Sequence, residues 1–161
     1  CWENSKNTGE IIEIGLCIFD LEKNKITKKG QYYVKPEIDE VSSYCTNFTR
    51  ITQKMINKQG RPLSEVVRTM VKNFGGKNAI YTAWGRDDTV LFEECLNKDI
   101  EKPFEEFLNV ATYYRLHKKE KGNRVSLQKA LENENVEFEG EAHSGLVDAY
   151  NLAKLYQKVF C

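Results

Sequence analysis

Residues 10–21, EIIEIGLCIFDL, are almost continuously β-branched and aliphatic, and they limit the fold more than any other stretch. The run is far short of the roughly 20 residues a membrane helix needs, and its β-branched content favours a strand. A strand apolar on both faces must be covered on both. A polar turn follows at 20–25, and residues 26–35, ITKKGQYYVK, return as a second strand ending at Pro36. The two make a hairpin or meander. Residues 42–60 read as short helical turns closed by Gly60. Leu63, Val66, Val67, Met70, Val71 and Phe74 then recur at helical spacing and stop at Gly75-Gly76, which predicts an amphipathic helix.

A short strand is expected at 79–83, running into Trp84-Gly85-Arg86-Asp87-Asp88. The helix after it should turn Val90, Leu91, Cys95 and Leu96 inward. Residues 108–112 suit another buried strand, 113–121 a helix, 126–134 a helix capped by Ser126, and 137–142 a loop before the last helix. This order predicts one α/β domain with a mixed central β-sheet flanked by helices.

With 161 residues the chain suits a single domain. Its 24 basic and 24 acidic side chains balance, which argues against a polybasic nucleic-acid binder held by phosphate neutralisation alone. An enzyme acting on nucleic acid stays open, because a carboxylate metal site is itself acidic. The five cysteines are scattered and form no Cys-x-x-Cys pair, so a zinc knuckle or disulfide framework is not expected and a reducing cytoplasm is. No run is long enough to cross a bilayer and no signal-peptide pattern opens the chain, so no membrane partner is expected. The first residue is Cys1, and Cys1-Trp2-Glu3-Asn4 reads as the exit from an element already under way.

Chemistry concentrates in Ala142-His143-Ser144-Gly145-Leu146-Val147-Asp148-Ala149-Tyr150-Asn151. Ser144 suits an N-cap, placing His143 just outside a helix and Asp148 in its first or second turn, on a stripe with Leu152, Leu155 and Val159. The pattern fits a capped helix with a loop-bonding histidine. It equally fits a general base beside a metal-binding carboxylate. Asp87 and Asp88 also have two readings: one or both cap the helix that starts there, or one of them faces the crevice at the end of a strand, where ligands bind in α/β sheets.

In sequence order, His143 and Asp148 resemble the third motif of the DEDDh 3′-to-5′ exonucleases, 83–88 their second, and 10–15 the strand following their first. Tyr44-Cys45-Thr46-Asn47-Phe48-Thr49-Arg50-Ile51-Thr52-Gln53 looks like a segment shared by KapD-like proteins and Eri-type exoribonucleases. The resemblance runs from Cys1 to about Tyr156. It implies a ribonuclease H-like fold, two magnesium or manganese ions, and removal of nucleotides from 3′ ends of single-stranded RNA or DNA, RNA preferred. By position it implies that Asp148 and Asp88 bind metal, with Asp87 the alternative to Asp88, and that His143 is the catalytic base.

Two departures stand out. The Asp-x-Glu of the family's first strand would lie ahead of Cys1, so the single exonuclease domain of residues 1–161 is expected to lack that strand. Arg50 stands where relatives usually have glycine. Trp2 would stack on a terminal base or pack in the core. Glu10 and Glu13 suit structural hydrogen bonds or ion pairs, His117 a solvated helix face, and Tyr32 and Tyr33 ordinary strand positions. The competing functions are an inactive nucleic-acid-binding module of the same fold and a DNA proofreading-type exonuclease.

Overall fold

The structure is a computed structural model and describes residues 9–119, 121, 122 and 124–161. Strand β1 (Glu13–Asp20) pairs antiparallel with β2 (Lys25–Tyr33), Glu13 opposite Tyr33 and Asp20 opposite Lys25. Asp20 Oδ1 accepts the Lys23 N–H at 2.9 Å and closes the turn. Two short helices follow, α1 (Ser43–Thr49) and α2 (Gln53–Gln59), with Ser42 and Thr52 accepting the Cys45 and Met55 amides as N-caps. Arg50 ends α1 at φ 65°, a left-handed value that glycine adopts without strain. Its guanidinium donates to the Asn47 carbonyl at 2.6 Å.

Helix α3 (Leu63–Asn73) buries Leu63, Val66, Val67 and Met70, and Phe74 is buried at its C-cap, but Val71 of the expected face is exposed. Strand β3 (Ile80–Ala83), helix α4 (Asp87–Asn97) and strand β4 (Glu106–Asn109) form a β-α-β unit whose strands pair in parallel. Helix α5 (Val110–His117) follows directly, then α6 (Leu127–Asn133) and α7 (Gly145–Phe160). The strand expected at 108–112 therefore ends at Asn109, and the helix expected from 113 begins at Val110. Asn109 causes both changes, because its side chain accepts the Thr112 amide and caps α5. The inward stripe of α4 also differs from expectation. Leu91, Glu94 and Cys95 are buried, whereas Val90 and Leu96 are exposed. Glu94 turns inward because its carboxylate accepts the Ile11 N–H at 2.7 Å and pairs with Lys98 at 3.2 Å.

Helices cover both faces of β1. Ile14 and Leu16 join Val66, Val67 and Met70 of α3 and Leu91 and Cys95 of α4 in one apolar cluster. On the opposite face Gly15 meets Gly145 of α7, and Phe19 packs edge-on against Tyr156 with ring centroids 5.7 Å apart. Helices α5, α6 and α7 share a further cluster of Tyr114, Ala130, Leu131 and Leu155. The α/β arrangement is the expected one, but among the described residues the sheet comes in two halves, β1 with β2 and β3 with β4. Strand β1 is partly buried along its length, where a largely buried strand was expected, and its residues 13–16 border the cavity between the halves. Among the described residues no helix is long and apolar enough to cross a membrane.

Candidate functional site

The cavity between the half-sheets has a volume of about 480 Å³, and its wall includes Glu13, Trp84, Asp87, Asp88, His143 and Asp148. Every chain position singled out for chemistry from the two later motifs thus meets in one cleft. Three elements deliver them: β1, the junction from β3 into α4, and the start of α7.

The start of α7 is built differently from the expected serine cap. Ser144 occupies the N-cap position but makes no side-chain cap hydrogen bond. Glu13 does that work from β1, accepting the Gly145 N–H at 2.9 Å and the Ser144 hydroxyl at 3.3 Å. A carboxylate at a helix N-terminus is stabilised by the helix dipole. The Gln31 amide donates to the same carboxylate at 2.7 Å and holds it in place. The approach requires a glycine at position 15, where a Cβ would lie 2.0 Å from the carbonyl carbon of Gly145.

His143 precedes this cap at φ 70°. Its ring stacks on Phe48 with centroids 4.0 Å apart, and Phe48 in turn stacks on Tyr44 at 6.2 Å. Asp148 lies in the first turn of α7. Burial pushes its carboxyl above the ordinary carboxylate range, the backbone and ring of His143 pull it partly back, and the charges of Glu13 and Asp87 push it up again. Asn151, fully buried one turn later, accepts the Glu139 N–H and donates to the carbonyls of Glu139 and Val147, each at 2.9 Å. It ties the loop that leads to His143 onto α7.

At the other wall, α4 begins at Asp87 itself, so neither aspartate is its N-cap; Arg86 is, without a side-chain bond. Asp87 is open to the cleft, yet the surrounding walls push its carboxyl up. A hydrogen bond with its own backbone and the charge of Arg124 oppose that rise, and the Asp88 charge adds to it. The family resemblance favours Asp88 over Asp87, and both line the cleft. Of these two aspartates, Asp87 is the one whose charge helps to raise Asp148.

Carboxylate oxygens are the hard donors that magnesium or manganese takes. Asp87 and Asp148, like-charged and both raised, are suited in chemistry to a divalent cation. Among the described residues no group of three or more His, Cys, Asp and Glu side chains could hold one. The donor set fits in kind and is incomplete in number.

The remaining sequence candidates fall outside this constellation or serve it structurally. Glu10 accepts the amides of Glu37 and Ile38 at 2.8 Å and pairs with Lys98 at 3.0 Å, as its structural reading predicts. His117 is exposed, beside Tyr113 and Phe160. Tyr32 packs edge-on against Phe74. Trp2 lies outside the described residues. The capping role of Glu13 and the anchoring role of Asn151 were not foreseen. Gly15 was the available signal for the first, since a glycine inside a strand marks a close backbone approach.

Known proteins extend this picture. The chain is 31% identical over 187 aligned positions to the 3′-5′ exonuclease Snipper of Drosophila melanogaster, covering 99% of this chain and 65% of that protein. It is 27% identical to ERI1 exoribonuclease 2 of Xenopus laevis, with all of this chain but 27% of that protein covered. The chain thus spans two-thirds or less of these relatives. In fold it superimposes with a TM-score of 0.86 on the nuclease domain of 3′hExo, a DEDDh family member solved with rAMP, at 24% identity over 98% of this chain and 85% of that one. Residues 3–156 match the exonuclease family RNase_T, and the chain belongs to that family.

Proposed function

We propose that this chain forms the catalytic domain of a 3′-to-5′ exonuclease that hydrolyses the terminal phosphodiester of single-stranded RNA with two magnesium or manganese ions. The convergence of Asp87, Asp148 and His143 on one cleft carries this reading. That relatives of this chain include exoribonucleases supports RNA rather than DNA as its substrate. In this reading Asp148 and Asp87 hold the cations, with Asp88 beside them, and Glu13 keeps the start of α7 in register. The bound ions would lower the pKa of a water and neutralise charge on the phosphate. His143, outside the helix and braced by Phe48, takes the proton of the attacking water on a ring nitrogen.

The carboxylates still needed come, we infer, from a strand carrying Asp-x-Glu and seated between β1 and β3. Neighbouring strands stand about 4.8 Å apart, so two strands flanking a third stand about 10 Å apart. Such a strand would pair with both half-sheets and turn alternate side chains toward Asp87 and Asp148. The four described cysteines are free, which supports a reducing compartment, the cytoplasm, as its place of work.

The test is a 5′-labelled single-stranded RNA incubated with the full-length protein, in magnesium and in chelator, beside a DNA of the same sequence. Magnesium-dependent shortening from the 3′ end with release of mononucleotides is the expected result, faster on RNA. A folded protein that binds the RNA without shortening it would be the inactive binding module, and faster DNA digestion would make it a proofreading-type enzyme.

A further inference from the structure

Arg124 sits at the rim of the cleft, just before the Ser126 cap of α6. A Cβ built on buried Gly85 would find Arg124 Nη1 at 3.3 Å and Asp87 Oδ2 at 3.5 Å, so the guanidinium and the carboxylate flank one point above the glycine. The approach is close, so a side chain at position 85 would press on the tip of Arg124. The backbone beside Arg124 is held from both sides: the Trp84 indole N–H donates to the Val125 carbonyl at 3.0 Å, and Ser126 Oγ accepts the Lys129 N–H at 3.1 Å. Among the described residues Arg124 itself makes no hydrogen bond or ion pair. A planar fork of five donors is therefore anchored at its base, exposed to solvent, and set beside Asp87, whose carboxyl feels its charge, at a site that must admit an anion.

The geometry points to Arg124 as a phosphate-contacting residue that binds the nucleic-acid backbone entering the cleft. The inference rests on the exonuclease reading. The acidic wall of Glu13, Asp87, Asp88 and Asp148 repels a polyanion, and a fixed cation at its edge offsets that repulsion where the strand enters. An arginine can grip a phosphate with two parallel N–H bonds, whereas lysine presents a point charge. Arg86, at the other side of Gly85, is turned toward its own helix, where Nη2 donates to Thr89 Oγ1 at 3.4 Å.

The experiment measures binding of a 5′-fluorescein single-stranded RNA to the full-length protein in calcium, across a salt series, for wild type, Arg124→Gln and Arg124→Lys. Arg124→Gln should weaken binding about 10- to 100-fold and reduce the slope of log affinity against log salt by about 0.7, the value for one phosphate contact on a single strand. Arg124→Lys should keep the slope and recover part of the affinity. Equal affinity and slope in wild type and Arg124→Gln would overturn the assignment, as would a loss of affinity with no change of slope. Wild-type protein that neither binds nor shortens RNA would instead refute the exonuclease reading itself, and this inference with it.

Discussion

Replacing Gly15 by alanine tests the joint on which the cleft depends. The new Cβ would lie 2.0 Å from both the Gly145 carbonyl carbon and the Leu146 nitrogen, and 2.3 Å from the Gly145 oxygen. Carbon contacts settle at about 3.5–4.0 Å, so the backbones must separate by about 1.5 Å. Strand β1 is paired with β2 along its length and cannot yield alone. The start of α7 must move, which stretches the 2.9 Å bond from Gly145 to Glu13 beyond hydrogen-bond range. Overpacking costs about 1–3 kcal/mol, and losing a hydrogen bond to a carboxylate costs about as much again. A total of about 3 kcal/mol corresponds to a fall of roughly 6–12 °C in melting temperature for a domain of this size. His143 and Asp148 move with the helix, and a displacement of about 1 Å costs on the order of 100-fold in rate. Thermal unfolding and metal-dependent RNA hydrolysis measure the two effects together. Gly145→Ala is the milder comparison, since its Cβ would meet the Gly15 nitrogen at 3.0 Å and Glu13 Cδ at 3.4 Å. A Gly15→Ala protein with wild-type melting temperature and activity would refute the claim that this joint positions the site.

Two further perturbations separate ligand from base. Asp148 has a folded-state pKa raised by burial and by like charge, so its protonated form favours folding; that contribution is lost as pH rises through the raised value. At neutral pH Asp148→Asn should therefore melt higher than wild type without metal, with the difference vanishing below the carboxylate range. It should also lose the stabilisation that a bound ion supplies, about 2.7 kcal/mol at a hundredfold excess over Kd; a lower metal-free melting temperature would contradict the sign. His143→Ala should slow turnover by about 10²–10⁴ with little change in RNA or metal binding. His143→Asn controls for backbone strain, since asparagine tolerates the left-handed φ of 70°. Parallel loss of metal binding would make His143 a ligand.

Periodicity and capping chemistry are local, which is why α3, the Ser126 cap of α6 and the placement of Asp148 in the first turn of α7 were legible in the chain. Asn109 shows the limit: its strand-like neighbours predicted a longer β4, and one side-chain cap ended it. The inward face of α4 was misassigned because hydrophobicity could not reveal that Glu94 had a partner in the Ile11 amide, 83 residues away.

The sequence by itself determined the α/β class, through residue type and short-range spacing, and its resemblance to known exonuclease motifs singled out the candidate side chains. Only the tertiary structure decided that Glu13 rather than Ser144 caps α7, that Asp87 is the aspartate whose charge reaches Asp148, and that Arg124 stands at the rim. Each depends on groups far apart in the chain, 132 residues in the case of Glu13 and Gly145. Their meeting is set by how closely two backbones can pack, which a local pattern does not encode.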